Sequence, residues 1–207
     1  VMIATRHGQH ADQTVAALEA GKSVFVEKPL CLDEDQLDRI VAAWRAAGRP
    51  TAMVGFNRRF SPHTARLREL FKGRRDPLAI LYRINAGYLP PGSWVQDPVE
   101  GGGRILGEVC HFADLSSAIV GAQPVHVSAE PVRPDGVAAL LRYDDGSAAT
   151  LHYVSGGHPQ VPKERIEVIG AGTVAVVEDF KLTTWQGPGG EGKLAPGGQD
   201  KGHRAEF

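Results

Sequence analysis

Residues 23 to 37 read SVFVEKPLCLDEDQL. An apolar run, Val24-Phe25-Val26, passes directly into Glu27-Lys28-Pro29, and charges at the end of a buried strand must reach water or find partners. Asp33, three residues before Gln36, then opens a helix whose apolar stripe is Leu37, Ile40, Val41 and Trp44 and which Gly48 closes. Working outward, HADQTVAALEAG (10–21) places Ala11, Val15, Ala16 and Leu18 at helical spacing ahead of Gly21. VMIAT (1–5) and TAMVGF (51–56) read as strands on either side. Strand and helix alternating over short connections predict a parallel sheet with right-handed crossovers.

From about Pro77 the rhythm changes to strands: LAILYRINAGY, VHVSAEPV, VAALLRY, SAATLHYV, RIEVIG and TVAVVEDF. Asp145-Gly146 between two apolar runs predicts a hairpin. One helical stretch, RILGEVCHFADLSSAIVG (104–121), interrupts the strands, and the Gly/Pro-rich segment 186–199 reads as a flexible loop. VMIAT reads as a strand already under way and KGHRAEF as a first helical turn, which together suggest a piece of a longer chain.

The composition excludes several classes of function. With 23 basic and 24 acidic residues the net charge is -1, which argues against a nucleic-acid partner. No apolar stretch approaches the roughly 20 residues that span a bilayer, and no secretory signal is visible, so no membrane partner is expected. The two cysteines, Cys31 and Cys110, fit no metal or redox spacing and read as reduced thiols of a cytoplasmic protein.

Three clusters could carry chemistry. Lys28 lies just past the carboxyl end of a parallel strand, where open sheets bind ligands, and Pro29 restricts its backbone; a solvated Glu27-Lys28 turn is the alternative. On the helix at 104–121, Arg104, Glu108 and His111 share one stripe. His111 beside Glu108 or Asp114 is a candidate general base, and also reads as an ordinary surface histidine. Gly107 sits one turn before it, where an interior glycine costs about 1 kcal/mol against alanine, as though something must approach closely. FNRRF (56–60) offers Asn57, Arg58 and Arg59, either as a clamp for a hydroxylated or anionic substrate or as a salt-bridged turn. RHGQH (6–10) holds His7 and His10 without a third ligand, so no metal site is nominated.

The stretches VMIATRHGQHADQTVAALEAGKSVFVEKPL, GFNRRFSPH and GGGRILGEVCHFADL, in this order, resemble the Gfo/Idh/MocA oxidoreductases, the glucose-fructose oxidoreductase and inositol dehydrogenase superfamily. The resemblance implies a fold of class α/β plus α+β. Residues 1–54 would be the C-terminal part of a Rossmann-type dinucleotide-binding sheet. Residues 55–207 would form an open-faced, mainly antiparallel sheet domain with an inserted helix, carrying the substrate pocket and pairing into a homo-oligomer.

The resemblance also implies NAD or NADP as cofactor and a small sugar, nucleotide-sugar or polyol as substrate. Lys28 and His111 would be catalytic. Thr5, His10, Glu27, Lys28 and Pro29 would lie at the cofactor, and Asn57, Arg59, Glu108 and His111 at the substrate. Two departures stand out: Gly107 occupies a place where the family often has an aspartate, and no G-x-G-x-x-G is read anywhere in the chain, its glycine loop being expected upstream of Val1. A sheet fragment that only associates and binds no cofactor is the rival reading.

Overall fold

The computed structural model describes residues 1–133 and 135–207, with Arg133 described in its backbone alone. It divides into two compact units: residues 1–56 with 90–111, and residues 57–89 with 112–207. Segment 90–111, expected with the strand-rich part, therefore packs with the first unit.

In the first unit β1 (Met2–Ile3), β2 (Val24–Val26) and β3 (Ala52–Val54) form a parallel sheet in that order, joined through α1 (His10–Glu19) and α2 (Glu34–Ala46). Ile3, Leu18, Val24, Val26, Ile40 and Ala43 close the core between sheet and helices. Asp33 caps α2 as its spacing predicts, its Oδ1 accepting from Gln36 N–H at 2.7 Å, while Gln36 Oε1 accepts from Leu32 N–H at 2.9 Å.

The second unit begins with α3 (Pro62–Leu70), which the strand-centred reading of this region passed over although Ser61-Pro62 is a helix-start pair. Its sheet is mixed and eight-stranded. It contains β4 (Ala79–Asn85), β5 (Pro124–Arg133), β6 (Gly136–Tyr143), β7 (Ala148–Val154), β8 (Glu164–Gly170), β9 (Thr173–Glu178), β10 (Leu182–Gly187) and β11 (Gly190–Leu194). The order is β11-β10-β9-β8-β4-β7-β6-β5, with β4 and β7 parallel and the other pairs antiparallel. The Asp145-Gly146 hairpin joins β6 to β7, with Gly146 at φ +86°.

One sheet face is the core: Ile80, Tyr82, Ile84, Leu151, Tyr153, Ile166 and Val168 are buried together with Phe112 and Leu115 of α4 (Cys110–Val120). Tyr82 meets the Phe112 ring edge-on at 5.1 Å. The other face leaves Leu81, Leu140, Ile169 and Val174 exposed.

Three expectations fail here. Segment 186–199 is not simply a loop, because its first half completes β10 and builds β11; Gly192 lies opposite Trp185, and a Cβ there would strike the indole. Residues 187–192 do carry the spacing G-x-G-x-x-G, but they form the reverse turn of this hairpin rather than a strand-to-helix turn. KGHRAEF is a turn closed by Ala205 and Glu206 N–H on the Gly202 carbonyl, not a helix.

That C-terminal segment is stitched to the start of α3. Asn57 Nδ2 donates to Lys201 O at 2.8 Å, Ser61 Oγ donates to Asp200 O at 2.7 Å, and Lys201 Nζ donates to Glu164 Oε1 at 2.7 Å. Glu164 is 1 % exposed and also receives Arg58, through Nε at 2.9 Å and Nη2 at 2.8 Å, and the Tyr82 hydroxyl. Burial pushes this carboxyl up, yet the bonds and charges of Arg58 and Lys201 outweigh it and hold the pKa at about 2.

Candidate active site

Strand β2 delivers Glu27-Lys28-Pro29 at the carboxyl edge of the parallel sheet. The ladder runs one residue past the strand, with Glu27 N–H on Ile3 O at 2.9 Å. The Lys28–Pro29 bond is cis, and Pro29 is buried. His10 fastens this turn. Fully buried in the first turn of α1, its Nδ1 lies 2.7 Å from Pro29 O and its Nε2 3.2 Å from Thr5 O. A carbonyl oxygen can only accept, so the ring nitrogen that carries hydrogen donates to it. His10 is thus a strut between the β1 and β2 edges, with both nitrogens turned to backbone carbonyls. Thr5 is exposed, and its hydroxyl donates to Gln13 Oε1 at 2.8 Å. The Glu27 carboxylate packs against β3's end, where a Cβ on Gly55 would stand 3.0 Å from Oε2.

Lys28 points to the segment that precedes α4. Arg104 starts that helix, but residues Ile105–Val109 form a π-turn before α4 proper begins at Cys110. Such widened turns inside helices are frequent at functional sites. Lys28 Nζ donates to the Gly107 carbonyl in the middle of it, at 2.8 Å. This ammonium therefore has a definite place, and the solvated-turn reading of Glu27-Lys28 does not describe it.

Around the π-turn, Arg104 Nε pairs with Glu108 Oε1 at 3.3 Å. His111 is 9 % exposed, with Phe56 edge-on at 6.1 Å between centroids. The neighbour for which Gly107 leaves room is His7: a Cβ at position 107 would stand 3.0 Å from His7 Cε1. Sequence reasoning met His7 only as half of a metal pair. The signal that could have found it was the interior glycine, but spacing alone does not reveal what approaches.

Asn57 and Arg59 belong to the second unit. Asn57 is 4 % exposed and engaged with the C-terminal segment, as described above. Arg59 holds Asp114 in a fork, Nε to Oδ2 at 2.7 Å and Nη2 to Oδ1 at 2.6 Å. Burial pushes the Asp114 carboxyl up, and Arg59 opposes that. Both Asp114 oxygens thereby accept from Arg59. Among the described residues no group of three or more His, Cys, Asp or Glu could hold a metal ion, and no helix is long and apolar enough to cross a membrane.

A dinucleotide pyrophosphate sits on a glycine-rich strand-to-helix turn. The turn from β1 to α1 has one glycine, Gly8, and a Cβ there would run into the Val99 carbonyl oxygen, so its open side is already filled by protein. The turn from β2 to α2 contains no glycine. The described residues do not fit a pyrophosphate.

Residues 1–70 match the model of the Gfo/Idh/MocA family, an oxidoreductase family with an NAD-binding Rossmann fold. The chain is 32 % identical over 167 residues to a 1,5-anhydro-D-fructose reductase of Ensifer adhaerens, covering 73 % of this chain and 49 % of the relative. It is 29 % identical over 219 residues to an inositol 2-dehydrogenase of Mycolicibacterium gilvum, covering 97 % and 59 %. The chain spans about half the length of the curated relatives it matches. Among solved structures, an oxidoreductase domain protein from Kribbella flavida superposes with a TM-score of 0.83 at 22 % identity, covering 100 % of this chain and 65 % of that one. An inositol dehydrogenase homolog from Azotobacter vinelandii, complexed with NAD+, gives 0.79 at 20 % identity, covering 96 % and 57 %. At these identities the structures share the fold.

Proposed function

We propose, on the premise that the chain belongs to the Gfo/Idh/MocA oxidoreductase family, that it carries the proton-handling residues of an NAD(P)-dependent enzyme that interconverts a hydroxyl and a carbonyl on a sugar, nucleotide-sugar or polyol. The observation that carries this reading is Lys28, fixed on the Gly107 carbonyl at the carboxyl edge of the parallel sheet. The names of relatives that act on inositol and on an anhydro sugar support the substrate class.

Oxidising a carbinol breaks its C–H and O–H bonds, and negative charge gathers on the oxygen as the carbonyl forms. A nicotinamide, when bound, supplies the hydride acceptor. The chain's own part concerns the oxygen and its proton. The Lys28 ammonium donates to the oxygen and steadies the developing charge, a role that needs a donor fixed before the reaction. His111 takes the hydroxyl proton as general base. His10 holds the lysine turn in place, and Thr5, Glu27 and Pro29 line the edge where the nicotinamide ring would lie. Asn57, Arg59 and Glu108 are the remaining candidates for substrate contact. The exposed apolar residues Leu81, Leu140, Ile169 and Val174 give the second unit a face suited to pairing with another copy.

The experiment is spectrophotometric. The intact protein with NAD+ or NADP+ is tested for reduced nicotinamide against inositols, aldoses and nucleotide-sugars. Turnover of a member of these classes is expected, and its absence across all of them in both directions overturns the reading.

A further inference from the structure

His7 has no part in the reading above, yet it is built into the same place. It lies in the short turn between β1 and α1, 7 % exposed, with Trp94 edge-on at 4.7 Å. Its Nδ1 is 2.8 Å from the Gly101 carbonyl oxygen. A carbonyl can only accept, so Nδ1 carries the hydrogen, and the neutral ring keeps a lone pair on Nε2. Nε2 makes no hydrogen bond among the described residues and is not one of the fully buried unpartnered atoms. The ring touches Gly107 from the side where a side chain would stand, with Cε1 3.0 Å and Nδ1 3.4 Å from a Cβ built there. Gly107 thus does two things at once: its carbonyl anchors the Lys28 ammonium, and its missing side chain admits the His7 imidazole.

The surroundings keep that imidazole uncharged. Burial is the main cause, and Lys28, His10 and Arg6 add positive charge nearby, so His7 titrates below its ordinary value despite the Gly101 bond. Arg6 itself lies over Trp94 and pairs with Glu100 at 3.6 Å. The outcome is a fixed donor, Lys28, and a fixed neutral acceptor, His7, converging on one glycine. A hydroxyl group is both donor and acceptor, and matches such a pair.

We propose that His7, its ring seated against the missing side chain of Gly107, is a specificity-determining residue of the lysine site, offering Nε2 as an uncharged acceptor to a hydroxyl of the polyol or sugar. The proposal rests on the reading of Lys28 as the catalytic lysine. It gives the interior glycine a purpose: a side chain there and the imidazole compete for one space.

The test has two arms on the intact protein. In the first, 15N-histidine NMR, with His7 assigned by H7N, is expected to show an Nδ1–H tautomer at neutral pH whose titration midpoint lies below 6.5 and rises in K28M. An Nε2–H tautomer, or a midpoint indifferent to K28M, overturns the proposal without any turnover being needed. The second arm follows kinetics with NAD+ and myo-inositol or D-glucose. H7L is expected to raise KM at least tenfold with kcat within about threefold, and to lose the acid limb of kcat/KM that His7 protonation produces. H7Q, with a non-titrating acceptor, recovers KM but not the limb, and serves also where H7L folds poorly. If K28M abolishes turnover while H7L and H7Q keep the wild-type KM and acid limb, the His7 proposal fails alone. If K28M turns over normally, the lysine reading itself fails.

Discussion

The Lys28 ammonium and the Gly107 carbonyl oxygen, 79 residues apart in sequence, stand 2.8 Å apart in the fold. That bond ties the end of β2 to the π-turn that precedes α4, and makes a flexible side chain a placed one. Removing it by K28M deletes one hydrogen bond at a half-buried position. The expected loss of stability is about 1 kcal/mol, read from the midpoint of urea unfolding. A much larger loss would mark Lys28 as chiefly structural.

The ion cluster on Glu164 gives a sharper stability prediction. Arg58 is 7 % exposed and donates twice to a carboxylate that is 1 % exposed. R58M leaves the carboxylate buried with Lys201 and Tyr82 alone, and is expected to cost about 3–5 kcal/mol. Chemical denaturation checks this.

The same carboxylate fixes an acid limit. Its folded pKa, about 2, is depressed from 4.5, so its stabilisation is fully present above pH 4.5 and is lost as pH falls toward 2. The loss is on the order of 3 kcal/mol. Unfolding free energies measured between pH 5 and pH 2 should show this slope, and E164Q should flatten it.

At the start of α2, D33A removes the side chain that accepts from Gln36 N–H. About 1 kcal/mol of stability should go with it, with no change in the lysine site. Thermal unfolding of the variant measures the first, and the K28M-sensitive titration of His7 reports on the second.

What was legible in the sequence were features with local causes. The cap at Asp33, the hairpin at Asp145-Gly146 and the alternation of β8 and β9 each follow from a few adjacent residues. The placement of Lys28 at a strand end was legible for the same reason. The GEGKL strand, β11, was not, because it has almost no side-chain pattern of its own and exists by pairing with β10. The π-turn was hidden too: Arg104, Glu108 and His111 fit ordinary helical spacing, and only the close packing of His7 on Gly107 shows why that glycine is tolerated. Asn57 and Arg59 read equally well as substrate clamps or as structural ties, since the partners that engage them, Lys201 and Asp114, are distant in sequence.

The most direct test of the account compares wild type and K28M in the intact protein, measuring turnover of the substrate the wild type uses best alongside cofactor affinity. If the ammonium on Gly107 handles the reacting oxygen, K28M lowers kcat by about 10²–10⁴-fold while the cofactor Kd changes no more than about threefold. A K28M protein that keeps turnover within threefold of wild type would contradict the central claim.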